Sequence, residues 1–272
     1  MGNSGAAGQR GRGTATTSPP VRWHLLIDEV PRPGWTNMAI DHALLERAER
    51  KGESWLRLYQ WAPHCLSFGR HEPAYRRYDS ERILAGGIDT VRRPTGGRAV
   101  LHAQELTYSV ATPYSQFGTL HAAYLEIHQM LADALRALGV AVSLADPRRT
   151  PPLDSGACFA NPVGGEIMMD GRKVVGSAQL RSGSALLQHG SVLLKDSQNV
   201  VRELMKEGRK PAPLPIQQEP WVEAADVAEA ITAVARRRWQ GDWERGTDEA
   251  VLLEEASIHY SHYSSAAWTW CR

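Results

Sequence analysis

The segment EIMMDGRKVVGSAQL, residues 166–180, constrains the fold more than any other part of the sequence. Two apolar runs flank the pair Asp170-Gly171, and two-residue type I′ hairpin turns favour this pair because both central residues need a positive φ. The following segment SALLQHGSVLL, residues 184–194, predicts a further strand after a turn at Ser182-Gly183. Residues 166–194 therefore predict a hairpin followed by a further strand.

Two helices and two further strands are predicted earlier in the chain. Residues 119–138 predict a helix, because apolar side chains recur at three- and four-residue steps and Gly139 follows where a helix-ending glycine is favoured. Asn37 to Arg50 predicts a second helix, for which Thr36 is an available cap. SWLRLYQW (54–61) predicts a strand, and another is predicted to run from 99–101 on through 105–110.

Composition divides the chain into three parts. Residues 1–20 are rich in Gly, Ser, Thr, Ala and Arg and lack the apolar stretch of a secretory signal, so they predict a disordered leader. Residues 21–208 predict one large domain. Four prolines mark a linker at the start of residues 209–272, and a helix is predicted over 222–238. The predicted fold is α+β, with a mixed, largely antiparallel sheet flanked by helices and a short helical C-terminal extension.

Charge, hydropathy and cysteine content exclude several classes of protein. A formal net charge of +1 argues against nucleic-acid binding. The longest apolar runs are shorter than the roughly 18 residues of a membrane-spanning helix. The three cysteines, Cys65, Cys158 and Cys271, have neither metal-ligand spacing nor the number needed for a disulfide framework. We therefore expect a cytoplasmic protein without a bound metal.

Two residues are the first candidates for covalent chemistry. Cys158 stands in SGACFANP, where Gly156 and Ala157 leave the approach to its thiol open, although a lone cysteine is more often a buried apolar residue. Lys173 is one of only five lysines among 31 basic residues. Its ammonium either reaches water past the sheet or is desolvated and polarises a carbonyl, and the sequence leaves both interpretations open. Cys65 is interpreted as a packed residue and Cys271 as an exposed one.

The segment RRPTGGRAVLH, residues 92–102, allows two interpretations. The spacing favours a tight turn in which Gly96 or Gly97 takes a positive φ. Alternatively, the two glycines and the flanking arginines form a cradle for an anion or a carbonyl. His102 and His189 are each interpreted first as hydrogen-bonded structural histidines and second as candidate bases.

Together these segments resemble the biotin- and lipoate-protein ligase superfamily. Three blocks carry the resemblance: 92–110, GACFANPVGGEIMMDGRKVVGSAQ (156–179) and QHGSVLL (188–194), with weaker similarity in 36–46 and 55–72. ATP-dependent lipoate ligases have a glycine-richer loop followed by a His-Asp pair, whereas Arg98 interrupts the glycines here. LipB-like octanoyltransferases have their cysteine after the motif lysine. Cys158 precedes Lys173 by fifteen positions, as in LipM-type octanoyltransferases, and LipL-type amidotransferases share this layout.

The resemblance implies a function and a site. It implies an ATP-independent acyltransferase domain over residues 21–208 in which Cys158 is the nucleophile and Lys173 orients the acyl carbonyl and moves a proton. It implies no cofactor, octanoyl-acyl carrier protein as donor, and as acceptors the lipoyl domains of 2-oxoacid dehydrogenases or the glycine cleavage H protein. The implied substrate-binding residues are Arg93, Thr95, Gly96, Gly97, Arg98, His102, Gly176, Ser177, Ala178, His189 and Gly190.

Overall fold

A computed structural model describes residues 21–146, 164–195, 197–206, 222–246 and 249–272. Its strands are β1 (Arg22–Ile27), β2 (Ser54–Tyr59), β3 (Cys65–Phe68), β4 (Asp89–Arg92), β5 (Val100–His102), β6 (Glu105–Pro113), β7 (Ser143–Leu144), β8 (Ile167–Met169), β9 (Arg172–Lys173), β10 (Val175–Ser182), β11 (Ala185–Leu193) and β12 (Asp242–Arg245). Its α-helices are α1 (Gly34–Lys51), α2 (Ala74–Arg77), α3 (Ser80–Ala85), α4 (Leu120–Ala137), α5 (Gln198–Glu203), α6 (Ala224–Arg238), α7 (Glu249–Ser257), α8 (Tyr260–Tyr263) and α9 (Ala266–Thr269). A short 3₁₀ turn spans Tyr114–Gln116.

A six-stranded sheet forms the centre of the fold, in the order β10-β11-β6-β2-β1-β12. Strands β10, β11, β6 and β2 pair antiparallel, whereas β1 runs parallel to both β2 and β12. Two three-stranded sheets, β4-β3-β5 and β7-β8-β9, lie beside it. The predicted class, a mixed and largely antiparallel sheet flanked by helices, is confirmed.

Helices cover both faces of the central sheet. Side chains alternate between the faces of a strand, and β2 shows the result: Leu56 and Leu58 join the core under α4 and α6. Trp55 and Tyr59 on the opposite face join the core under α1. Helices α7 and α8 pack against α1 in turn. Among the described residues, none of the helices combines the length and the apolar character needed to cross a membrane.

The local sequence signals predicted two elements correctly. Helix α4 begins where Thr119 accepts a hydrogen bond from the Ala122 N–H at 3.0 Å, and Gly139 beyond its end has a φ of +81°. In the hairpin between β8 and β9, Asp170 and Gly171 have φ values of +49° and +76°, as a type I′ turn requires.

Three features differ from the predictions. Helix α1 begins at Gly34 with Pro33 at its cap position, so Thr36 lies inside the helix. The strand predicted over 99–110 is two strands, because β5 pairs with β3 in the small sheet while β6 pairs with β2 and β11. The C-terminal extension is mostly helical, as predicted, but it also supplies the edge strand β12. The predicted leader and the prolines of the linker lie outside the described residues, and the predicted domain boundaries stay a prediction.

Candidate active site

A pocket opens between the central sheet and the small sheet that contains β5. The chain segments that line it are neighbours in space only because β10, β11 and β6 pair in the central sheet while β5 ends beside them. Its lining residues are Met38, Tyr59, Trp61, Arg93, Gly97, Val100, His102, Thr107, Gly176, Ser177, Ala178, His189, Gly190 and Ser191.

Most of the residues expected to bind substrate meet at this pocket. Eight of them line it: Arg93, Gly97, His102, Gly176, Ser177, Ala178, His189 and Gly190. The other three, Thr95, Gly96 and Arg98, belong to the same loop and lie beside the pocket without lining it. The aromatic and apolar wall formed by Met38, Tyr59, Trp61 and Val100 did not figure among the predicted site residues.

The glycine loop at 95–98 is held by the side chain of Arg93. Arg93 donates from Nη1 to the carbonyl and hydroxyl oxygens of Ser67 at 2.8 and 2.6 Å. It also donates from Nη2 to the carbonyls of Gly96 and Arg98 at 3.1 and 2.9 Å. Gly97 has a φ of +90°. The positive φ of Gly97 confirms the tight-turn interpretation, and these donors of Arg93 bind backbone carbonyls and the Ser67 hydroxyl.

Arg92, the other arginine before the loop, points away from the pocket. Its fully buried guanidinium donates to the carbonyls of Gly69 and Glu72 at 2.7 and 2.9 Å. It also donates to the carbonyls of Trp268 and Thr269 at 3.0 and 3.1 Å. Arg92 thus ties the C-terminal segment at 268–269 to the chain at 69–72, and it does not form part of an anion cradle.

Lys173 is desolvated. It lies in β9 and is 4% exposed, and its Nζ donates to Glu166 Oε1 at 2.5 Å across the β8–β9 hairpin. Both side chains are almost completely removed from water. The interpretation in which the ammonium reaches water is wrong, and the alternative of a buried amine is the one that fits. Because a buried charge is stable only beside a compensating group, Glu166 maintains this arrangement.

His189 belongs to a buried Asp-His-Thr chain. Its Nδ1 lies 2.9 Å from Asp41 Oδ2, and its Nε2 lies 2.7 Å from the hydroxyl of Thr95 in the glycine loop. Burial opposes ionisation of Asp41, but the hydrogen bond from His189 and the charge of Arg57 outweigh it, so the pKa of the Asp41 carboxyl is lowered. A charged carboxylate accepts only, so His189 carries its proton on Nδ1. The histidine therefore anchors Thr95, as its structural interpretation predicted.

His102 is equally engaged by neighbouring side chains. Its Nδ1 lies 3.1 Å from Glu105 Oε1, its Nε2 lies 2.7 Å from the Ser67 hydroxyl, and its ring stacks on Trp61 with centroids 3.8 Å apart. Burial lowers the pKa of His102. The neutral ring and Trp61 thus form one flat wall of the pocket, and the structural interpretation of His102 is confirmed.

The cysteines have different environments. Cys65 is fully buried in β3, and burial raises the pKa of its thiol well above the ordinary value, so the thiol stays protonated and unreactive. Cys271 is exposed. Both match their predicted roles. Cys158, the predicted nucleophile, lies outside the described residues, which resume at residue 164.

One cluster away from the pocket has the side chains of a metal site. Within the described ranges, His42 and Glu46 of α1 and His259 bring their ligand atoms within 4.8 Å of one another. The rings of His42 and His259 stack 4.0 Å apart with planes 6° from parallel. Each imidazole lone pair lies in its own ring plane, so two stacked parallel rings cannot direct both lone pairs at one ion. This arrangement does not bind a metal.

Sequence comparison agrees with the motif resemblance. Residues 33–219 match the family described as the lipoyl protein ligase A/B catalytic domain. An octanoyltransferase LipM of Moorella thermoacetica is 43% identical over 171 residues, which cover 61% of this chain and 62% of that protein. The LipM of Carboxydothermus hydrogenoformans is 42% identical over 161 residues, which cover 58% and 60%. The chain thus matches about three fifths of the length of these relatives.

Solved structures share the fold at low sequence identity. The protein Ta0514 from T. acidophilum, with bound lipoic acid, superposes with a TM-score of 0.72 at 20% identity, over 92% of this chain and 100% of that one. Lipoate-protein ligase A bound with ATP superposes with a TM-score of 0.73 at 20% identity, over 92% and 98%. The family match over residues 33–219 includes the glycine loop, Lys173 and the pocket strands. The chain belongs to the lipoyl protein ligase A/B catalytic domain family.

Proposed function

We propose that this protein transfers an octanoyl group from octanoyl-acyl carrier protein to a lysine of a lipoyl domain, through a thioester on Cys158. The observation that carries the proposal is the identity of 41–43% to octanoyltransferases LipM from three bacteria. Because the alignment covers about three fifths of each relative, the acyl donor and the acceptor protein are part of the proposal as well. The acceptor is a lipoyl domain of a 2-oxoacid dehydrogenase or the glycine cleavage H protein.

The chemistry of the transfer needs no nucleotide. A thioester is already activated, so exchanging it first for a cysteine thioester and then for a lysine amide runs downhill. Splitting the reaction into two steps means that the two protein substrates are not bound together. The aromatic and aliphatic wall of Met38, Trp61 and Val100 supports an acyl ligand, because each buried methylene contributes about 0.8 kcal/mol to binding.

The buried ion pair supports an enzymatic role over a purely binding one. Burying the Lys173 ammonium and the Glu166 carboxylate costs desolvation free energy that a hydrophobic pair would avoid. In the proposed mechanism Lys173 orients the acyl carbonyl, favours the thiolate of Cys158 by its charge and exchanges a proton with it. Glu166 holds the Lys173 amine in place through its contact at 2.5 Å.

Labelling of the intact protein tests the proposal. The wild-type chain incubated with octanoyl-acyl carrier protein, without ATP or magnesium, is expected to gain the mass of one octanoyl group. Adding a lipoyl domain is expected to remove that mass and to acylate the domain. A strict requirement for ATP with free octanoate or lipoate would instead assign an ATP-dependent ligase. Labelling by an octanoylated H protein, but not by the carrier protein, would assign an amidotransferase.

Replacing Lys173 tests its role directly. Lys173→Arg keeps the positive charge but replaces a compact amine with a planar guanidinium that does not release its proton. We expect it to be nearly as inactive as Lys173→Ala in steady-state octanoyl transfer to a lipoyl domain. Lys206→Arg is the matched control, because Lys206 is exposed and bonds the carbonyl of Tyr75 away from the pocket. If Lys173→Arg turned over at the wild-type rate, the role of Lys173 would be limited to its positive charge.

A further inference from the structure

A continuous chain of hydrogen bonds passes through Ser177 at the pocket wall. The amide Nε2 of Gln188 donates to the Tyr108 hydroxyl at 2.9 Å, and that hydroxyl lies 2.6 Å from Ser177 Oγ. Ser177 Oγ lies 2.8 Å from His128 Nε2, and His128 Nδ1 lies 2.8 Å from the carbonyl oxygen of Gly165. Ser177 lines the pocket, whereas His128 is fully buried behind it.

The partners fix the direction of every bond in this chain. A carbonyl oxygen only accepts, so Nδ1 of His128 carries the proton and donates to Gly165. Burial lowers the pKa of His128 to about 4, against the opposing bond to Gly165, so the ring is neutral and its Nε2 is an acceptor. The hydroxyl of Ser177 therefore donates to His128. Burial raises the pKa of Tyr108 to about 12, so the phenol keeps its proton and donates it to Ser177.

This pattern leaves the Ser177 hydroxyl able to form one more hydrogen bond, as an acceptor. A hydroxyl has one donor and two lone pairs. Its donor is committed to His128 and one lone pair to Tyr108, so a lone pair remains for a partner in the pocket. Gly190, opposite Ser177 in the β10–β11 ladder, leaves room for the hydroxyl, because a Cβ there would lie 2.6 Å from Ser177 Oγ.

Only one reactant of the proposed transfer can donate a hydrogen bond to a hydroxyl that solely accepts. The carbonyl oxygen of a thioester, its sulfur and a thiolate nucleophile all accept hydrogen bonds, whereas a lysine amine donates them. Burial and, to a lesser degree, the charge of Lys173 lower the pKa of His128, the hydrogen-bond partner of Ser177. Ser177 is thus suited to hold an amine rather than an acyl oxygen.

We propose that Ser177 binds the N–H of the acceptor lysine and thereby positions the attacking amine, and that His128 fixes Ser177 in this accepting orientation. The inference rests on the proposed function. In the second half-reaction the amine nitrogen forms the C–N bond, the C–S bond breaks, and the proton lost by nitrogen ends on the departing sulfur. Ser177 acts on the substrate in this step alone, and His128 is a positioning residue.

Separating the half-reactions tests this role. Ser177→Ala is charged with octanoyl-acyl carrier protein, and its labelling and its subsequent discharge by a lipoyl domain are followed over time by intact-protein mass spectrometry. We expect labelling within about twofold of wild type and discharge slowed about tenfold, the effect expected for one hydrogen bond. Ser182→Ala, at the far end of the same strand and outside the pocket, is the matched control and should discharge normally.

His128 variants distinguish orientation from packing. His128→Leu removes the acceptor and should slow discharge as Ser177→Ala does, whereas His128→Gln places an amide oxygen near the position of Nε2 and should recover most of the rate. Unchanged discharge in Ser177→Ala, or equal slowing of both half-reactions, would overturn the assignment. If the wild-type protein never acquires an octanoyl group, the proposed function is wrong, and the role of Ser177 that rests on it is wrong as well. That outcome differs from normal labelling of the wild type with unchanged discharge of Ser177→Ala, which would overturn only the role of Ser177.

Discussion

Cys158→Ala is expected to stay unlabelled by octanoyl-acyl carrier protein and to lose transfer to a lipoyl domain by several orders of magnitude, the size of effect seen when a catalytic nucleophile is removed. The reason is chemical, because alanine has no group that can form the acyl-enzyme. In the wild-type protein the adduct should be cleaved by hydroxylamine, which cleaves a thioester and leaves an amide intact. Mass spectrometry before and after hydroxylamine treatment measures both results.

The two remaining cysteines provide controls for the same experiment. Cys271→Ala removes an exposed thiol and should be labelled as wild type is. Cys65→Ala should lower the free energy of unfolding by about 1 kcal/mol, a typical value for a point mutation, without removing the label. Cys158→Ser is expected to form an ester slowly, because a hydroxyl is hardly ionised at neutral pH. Full transfer activity without any adduct on the wild type would contradict the covalent mechanism.

Local signals made much of the fold predictable. The turn at Asp170-Gly171 depends on the φ preferences of two adjacent residues, and the cap at Thr119 on a bond that spans three residues. Such features are encoded within a few positions, so the sequence predicts them directly. The rarity of lysine also pointed to Lys173, because an unusual residue type in an apolar strand indicates a constraint other than solubility.

Features that depend on distant partners were not predictable in this way. No glycine or proline separates β5 from β6, and the break follows from the different strands with which each one pairs. Glu166 is recognised as a partner only when the hairpin brings it to Lys173. His128 lies on the buried face of α4, and its bond to Ser177 spans 49 positions. The sequence signal available for such a buried partner was a charged or imidazole side chain within an otherwise apolar stripe of a helix.

Asp41 shows this signal most clearly, because it interrupts the apolar face of α1 and is fully buried. Its Oδ1 accepts from Arg57 and Ser109, both at 2.9 Å. Its Oδ2 accepts from Tyr59 at 2.8 Å and from His189 at 2.9 Å. These four donors occupy the roughly four lone-pair positions of a carboxylate. The network therefore joins the helix, the central sheet and, through His189, the loop beside the pocket.

Asp41→Ala is expected to lower the free energy of unfolding by about 3–5 kcal/mol, the range found when one partner of a buried ion pair is removed. Arg57 would keep its bonds to Asp28 and Asn37 but lose its bond to Asp41, and the donors of Tyr59, Ser109 and His189 would lose their acceptor. Equilibrium denaturation in urea measures the loss. Arg50→Ala on the same helix is the control, because its side chain is largely exposed and its pair with Glu46 contributes about 0–1 kcal/mol.

The charge of Asp41 can be separated from its shape by Asp41→Asn. Since the fold lowers the pKa of this carboxyl below its ordinary 3.8, the carboxylate contributes stability that is present above that value and is lost as the pH falls towards the folded pKa. Asparagine cannot titrate, so the variant should be less stable at pH 7 and the difference from wild type should shrink on acidification below about pH 4. A difference that stays constant down to pH 2 would show that packing, rather than the charge, stabilises the network.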